Sequence, residues 1–382
     1  MTARQNNKTT DIDQDIDTAY NNRPLQERLA LCALEANVVS YLVGPPGIGK
    51  TSFVSNLCKQ RKWEYELLSA PHIEPSDITG LPEVSKFPDG KVRTIFAEPE
   101  WLHRLNNAPD SLLFIDELPL ASSDTMKALL SLVEGRKAGT AHLSPHVRIV
   151  LAGNPLEWSM EASLLSAAMR TRVVFINWVL DVDNWLTYHR DGFSTWKAPN
   201  IPTDTPRMGE EKCIILDGIL RMNPRFIQLE SMDKAPDEGA FNVGRSWDTL
   251  YKLLRVIPAH DIDVMDVAVK GTVGEEIFQQ VSANLRYTLP VLRTLIDPES
   301  YDWNDSRPDI TYALLTAIAD IGLNTSSTDA SVQDAMIVCA VAADNGAADI
   351  AWSVLAGHIL RREPQAEIPS RVALVFEGKL HL

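Results

Sequence analysis

Cysteine is scarce in this chain: four residues in 382, Cys32, Cys58, Cys213 and Cys339, far apart and with no CxxC among them. They fit reduced thiols in the cytosol better than a disulfide framework or a thiolate zinc site. The eight histidines contain no HExxH, and although His142 and His146 are four apart, Pro145 between them argues against a shared helical face. The first residues, MTARQNNKTTDIDQDIDTAYNN, lack the apolar core of a signal peptide. No apolar run reaches the roughly 18 residues that a membrane span needs, so no membrane contact and a cytoplasmic location are expected. Basic residues are outnumbered, 36 Lys and Arg against 51 Asp and Glu, giving a formal net charge of -15. Broad nucleic-acid contact needs clustered positive charge, which this balance argues against.

What is present is a pattern. From Arg23 to about Leu180, short apolar runs alternate with amphipathic stretches. The runs cover 38–43, 65–70, 111–116, 147–153 and 173–178, and the alternation predicts parallel strands joined by helical crossovers. Met126, Leu129, Leu130 and Val133 fall at helical spacing and predict a helix over 122–134. Residues 84–94 predict a hairpin turning on Asp89-Gly90. Residues 190–240 read as a linker with short helices. Helices are expected at 245–255, 273–286, 307–321, 331–343 and 347–361. The expected organisation is a flexible tail over 1–22, an α/β nucleotide-binding core over 23–180, a linker and helical lid over 181–290, and a helical C-terminal extension over 291–382.

The first apolar run leads directly into Gly44-Pro45-Pro46-Gly47-Ile48-Gly49-Lys50-Thr51, which satisfies GxxxxGK[ST], followed by Ser52 and an amphipathic helix. Backbone N–H groups of such a loop cradle phosphates, and the helix N-terminus adds its dipole. Lys50 reaches the β- and γ-phosphates, and the Thr51 hydroxyl is suited to Mg²⁺. The second magnesium partner belongs on another strand. Leu112-Leu113-Phe114-Ile115-Asp116-Glu117 supplies four apolar residues and then two carboxylates. Asp116 is suited to the metal and Glu117 to the attacking water as general base. A further run ends in Ala152-Gly153-Asn154-Pro155, where Asn154 is placed to touch the γ-phosphate or orient the water. With no NKxD-like guanine reader in the chain, ATP is the expected nucleotide.

Together these residues resemble the AAA+ superfamily and, within it, the MoxR-type ATPases. Gly44–Ser52 resembles Walker A, Phe114–Leu118 Walker B and Ala152–Pro155 sensor 1. Asp77–Pro82 is similar to the segment after the family's second strand, and Lys270–Glu275 to a lid segment. Leu165–Arg172 resembles the LPxALxxRF stretch that carries an arginine finger, with Val173 in place of the usual Phe. Gly244-Arg245-Ser246-Trp247 resembles the PRxW sensor 2, with Gly244 in place of Pro. The hairpin at 84–94 resembles the helix-2 insert whose relatives face a ring pore.

The resemblance implies an α/β AAA+ P-loop core with a parallel sheet, a helical lid, and ATP with Mg²⁺ as cofactors. It implies a homo-oligomer, a hexameric ring, in which Arg170 or Arg172 acts on the neighbour's nucleotide and Arg245 acts in cis. Two residues apart on a helix, Arg170 and Arg172 would point about 200° apart, so only one could reach a given phosphate. It also implies a protein client, a von Willebrand A domain partner, and the remodelling of protein complexes or the insertion of metal cofactors. Two other readings are a nucleic-acid motor of the same clade and an assembly switch with little turnover. The acidic charge weighs against the first, and Glu117 with Asn154 against the second.

Overall fold

The computed structural model describes residues 18–379 apart from 159–161, 191–195, 203–208, 210–211, 214–215, 218, 221–222, 228–234, 284, 286–296, 302, 304–307 and 325–328. The chain divides into two compact units, Met1–Ser282 and Ala283–Leu382.

In the first unit the strands are β1 (Ser40–Val43), β2 (Glu64–Ser69), β3 (Pro82–Lys86), β4 (Val92–Phe96), β5 (Ser111–Asp116), β6 (Lys137–Ala138), β7 (Ala141–His142), β8 (Arg148–Gly153) and β9 (Val174–Asn177). Five of them form a parallel sheet in the order β2-β5-β8-β1-β9. These are the five apolar runs read from the sequence, with ends that differ by up to two residues. Leu112 to Ile115 of β5 are fully buried, and a strand covered on both faces has to read as an unbroken apolar run. Because the strands are parallel, their C-terminal ends gather at one edge. The register sets Ser69 opposite Asp116, and Val43 opposite both Gly153 and Asn177.

Helix α1 (Leu25–Glu35) precedes the sheet, and α2 (Lys50–Arg61), α3 (Pro75–Thr79), α4 (Glu100–Asn107), α5 (Ser123–Gly135), α6 (Ala167–Arg170) and α7 (Val182–His189) follow in turn. The sequence places α5 within a residue, and the Ser122 hydroxyl caps it by accepting from the Thr125 N–H. Within the stretch expected to be a flexible tail, residues 18–21 are helical. Tyr20 is fully buried, its hydroxyl lies 3.4 Å from Cys32 Sγ, and the Arg28 guanidinium sits 5.8 Å from its ring centroid. A lone aromatic in a polar stretch has no periodicity to announce it. Residues 1–17 lie outside the described residues.

The expected hairpin is present and longer than read, with β3 and β4 paired antiparallel from Pro82↔Phe96 to Lys86↔Val92. Its turn is closed by the Phe87 N–H to Lys91 O (2.9 Å) and the Gly90 N–H to Phe87 O (2.9 Å). At its base Gly80 has φ +78°, and a Cβ there would lie 1.8 Å from the Ala97 carbonyl oxygen, so no other residue fits without moving the strand.

Beyond β9 come α8 (Gly244–Val256) and α9 (Ile262–Val273). Helix α9 was not anticipated. Its Val-rich text and internal Gly271 read poorly as a helix, yet Asp261 caps it by accepting from the Val264 N–H. Gly271 also lets it approach β9 closely, since a Cβ there would stand 2.2 Å from Phe175 O. The Arg28–Asp261 ion pair (2.7 Å) ties α1 to the start of α9. Helix 273–286 was expected next; in the structure Gly274 ends α9 and helical backbone resumes at 275, with 284 and 286 outside the described residues. Much of the expected linker at 190–240 also lies outside them.

The second unit contains α10 (Pro308–Asn324), α11 (Asp329–Ala342) and α12 (Ala348–Val354). Its core includes the fully buried Leu315, Ile318, Met336, Cys339, Leu355 and Ile359. The helix expected over 347–361 is instead α12 flanked by wide turns, with Asn345 and Gly346 leaving helical angles before it. Val332–Arg362 is long and apolar enough by composition to cross a membrane, which corrects the expectation that no segment is; here it forms the packed interior of this unit.

Candidate nucleotide site

The gathered strand ends define the site. The loop after β1 enters α2 through Gly49, which has φ +92° and stands at the helix N-cap. An L side chain rarely adopts that angle, and the conformation turns the loop's N–H groups inward. Lys50, the first helical residue, is 7% exposed, and its Nζ donates to Gly44 O (2.6 Å), Pro45 O (2.9 Å) and Asn154 Oδ1 (3.0 Å). All three ammonium protons are thus occupied by oxygens that a phosphate would replace. Burial pulls the Lys50 pKa down and the nearby Asp116 carboxylate acts against it, so an anion arriving here gains a partly desolvated cation.

Thr51 Oγ donates to Asp116 Oδ2 (2.7 Å), and the other Asp116 oxygen accepts the Glu117 N–H (2.8 Å). A hydroxyl and a carboxylate side by side are hard oxygen ligands of the kind Mg²⁺ takes, with phosphate oxygens and water completing six positions. Among the described residues no group of three or more His, Cys, Asp or Glu could hold a metal ion by itself, so the donor set fits an ion that arrives with a nucleotide.

Glu117 follows β5 in the left-handed region (φ 58°, ψ 33°). Its Oε2 accepts from Ser69 Oγ (3.1 Å), whose oxygen also lies 2.8 Å from His72 Nδ1. Ser69 was absent from the sequence reading. Its signal is positional: it is the last residue of β2, paired in register with Asp116. This contact makes Ser69 a positioning residue for the carboxylate. Ser69→Ala is expected to lower turnover about tenfold while ATP affinity stays within about twofold, the signature of a lost orientation and an intact binding site. Steady-state assays over a range of ATP concentrations measure both, and unchanged turnover would rule the role out.

Gly47, Gly49, Lys50, Thr51, Ser52, Asp116, Glu117 and Asn154 line one cleft of about 370 Å³ together with Pro46 and Ile48, a size suited to a small ligand. Residues 40–177 match the family model described as "ATPase family associated with various cellular activities (AAA)". That span is similar to an AAA ATPase domain. No curated protein matches it. Among solved structures, the crystal structure of a candidate ATPase from Cytophaga hutchinsonii is similar at 15% identity and a TM-score of 0.43, over 72% of this chain and 93% of that one.

Within residues 40–177 the arrangement suits ATP hydrolysis. Lys50 is placed to hold phosphate oxygens, and Asn154 and Glu117 share its cleft, where the Glu117 carboxylate could take the proton of an attacking water.

The arginines do not join this group. Helix α6 ends at Arg170, so Arg172 lies outside it and the expected separation of about 200° does not apply. Arg170 is buried, donates to Pro236 O (2.6 Å) and lies 4.8 Å from the Phe241 ring centroid; burial lowers its pKa, with Asp237 and Glu238 opposing. Arg172 bonds the Ala168 carbonyl and the Glu134 carboxylate. Arg136, at the end of α5, donates to Ser144 O and Val147 O. Arg245 is exposed on the first turn of α8 and outside the cleft lining. The amphipathic pattern decides this: Trp247, Leu250, Leu253 and Leu254 take the inner face, with the Trp247 indole donating to Phe226 O (2.9 Å).

The cysteines are free and buried, and burial pushes the Cys58 and Cys339 thiols up to about 12, which makes both poor nucleophiles.

Proposed function

We propose that this chain is a ring-forming ATPase of the MoxR type that remodels a protein client, coupling Mg²⁺-ATP hydrolysis at subunit interfaces to movement of the β3–β4 hairpin. The observation that carries the reading is the hairpin itself. It is inserted between β2 and β5, the two strands that supply Ser69, Asp116 and Glu117. It also presents Val84 (72% exposed) and Val92 (63% exposed) beside Lys86, Lys91 and Arg93. Apolar side chains on a charged, solvent-facing hairpin suit transient contact with a polypeptide. With ATP and Mg²⁺, mass photometry is expected to show hexamers. Monomer alone at micromolar protein would count against a ring, and a fully active monomer would refute it.

A ring needs an arginine that reaches the neighbouring nucleotide, and Arg172 is the better candidate of the two. Its charge partner, Glu134, is 49% exposed, and an ion pair with a half-exposed carboxylate is cheaply given up; each arginine would leave a carbonyl, but Arg170 would also leave the Phe241 ring. Mixing Lys50→Ala with Arg172→Ala subunits tests this. About a quarter of interfaces in random rings join an intact site to an intact arginine, so part of the turnover returns if Arg172 acts in trans. Mixed rings that assemble but stay inactive place the arginine elsewhere.

A further inference from the structure

The cleft is lined by more than the phosphate loop and the acids. Part of its lining is aromatic: Trp178 and Trp196, both 5% exposed, with Trp185 and Tyr188 of α7. Phe53 packs beneath, its ring centroid 4.8 Å from that of Trp178 and 5.7 Å from that of Trp196. Arg23 ties this wall to α1, donating to Tyr188 Oη (3.1 Å) and lying 5.2 Å from the Trp196 ring centroid. Flat aromatic faces and a phosphate loop in one cleft are the two surfaces that a nucleotide needs. Into this same cleft comes Glu27, from the first turn of α1. One of its carboxyl oxygens, Oε2, is closed to solvent and has no hydrogen-bond partner. A buried polar atom left in that state is costly.

We propose that Glu27 reads the nucleobase, its carboxylic acid donating to a ring nitrogen of adenine and accepting from the exocyclic amine. The inference rests on the nucleotide reading of the cleft. The two-point contact needs the acid form, and the surroundings favour it. Burial raises the Glu27 pKa to about 7; Arg23 and a hydrogen bond with Trp196 oppose that rise, and the Asp181 carboxylate adds to it. Once ionised, the group keeps only acceptors. It then repels the adenine ring nitrogen and suits guanine, whose N1–H and N2–H₂ both donate. Glu27 therefore makes adenine recognition depend on a proton: ATP binding is strongest below pH 7 and weakens as the carboxyl ionises above it, while GTP binding does not weaken.

Calorimetric titration of the full chain with ATP and with GTP at pH 6, 7 and 8 tests the proposal. Between pH 6 and pH 8 the acid form falls from about nine-tenths to about one-tenth, so the wild-type ATP dissociation constant is expected to rise about tenfold. Glu27→Gln keeps one donor and one acceptor at every pH, so it should bind ATP as the wild type does at pH 6 and show no such dependence. The same comparison removes any titration of Lys50 or of the phosphates, which both proteins share. Glu27→Ala should bind ATP about tenfold more weakly at pH 6. Thermal melting checks that each variant folds. If wild type and Glu27→Gln change in parallel with pH, Glu27 does not read the base, and the phosphate site stands as long as Lys50→Ala abolishes binding. If the wild type binds neither nucleotide, the nucleotide reading fails and this one with it.

Discussion

Lys50→Ala is expected to reduce ATP affinity by more than about a hundredfold, to the point where calorimetry detects no binding. The ammonium is the one cation within the phosphate loop, and each charge-assisted hydrogen bond it would form contributes about 1.5–3 kcal/mol. It also organises the loop before any ligand arrives, through its bonds to Gly44 O, Pro45 O and Asn154 Oδ1. Truncation thus removes both the charge and the shape. Folding should survive, because burial already disfavours the ammonium in this position and alanine suits the first turn of a helix. A melting temperature close to wild type with no heat of binding is the expected pair of results. Unchanged affinity would remove the basis for placing phosphate in this loop.

Glu117→Gln is expected to do the reverse: ATP stays bound while turnover falls by about 10² or more, the contribution of a general base. The amide is nearly isosteric and its carbonyl oxygen can still accept from Ser69 Oγ, so the left-handed backbone and the neighbouring Asp116 are undisturbed. What it cannot do is take a proton from water. A turnover within about threefold of wild type would exclude Glu117 as the base. The same variant held with ATP is the natural bait for a client. Substituting Val84 and Val92 in that background should abolish capture without changing ATP affinity if the hairpin makes the contact.

The nucleotide loop was legible because its code is local. A strand, four defined positions and a helix follow one another from Ser40 to Arg61, and sterics leave Gly49 little alternative. The five strands were legible for a related reason, since burial on both faces leaves apolar runs such as Leu112–Ile115 that no surface element would carry. Features that depend on register or on neighbours were not. Ser69 acquires its role only because β2 lies beside β5 and ends level with it. Glu27 is an ordinary acid in the first turn of a helix until the fold sets it in one cleft with Trp178 and Trp196. Arg170 and Arg172 match a pattern, yet their surroundings, the Phe241 ring and the Glu134 carboxylate, come from segments about 70 and 38 residues away in sequence. Arg245 illustrates the same limit: the residues around it in sequence are the ones that turn its helix and leave it facing solvent.

Helix α1 gives the domain a boundary that its motifs do not mark. The family match begins at residue 40, after α1 has ended. Yet Glu27 faces the cleft while its neighbour Arg28 grips Asp261 at the head of α9. A fragment cut to the matched segment would retain the loop residues and Asp116, Glu117 and Asn154, but it would lose Glu27, the aromatic residues from Trp178 to Trp196, and α9 itself. A piece that keeps the whole cleft lining is therefore larger than the matched span, and it includes α1.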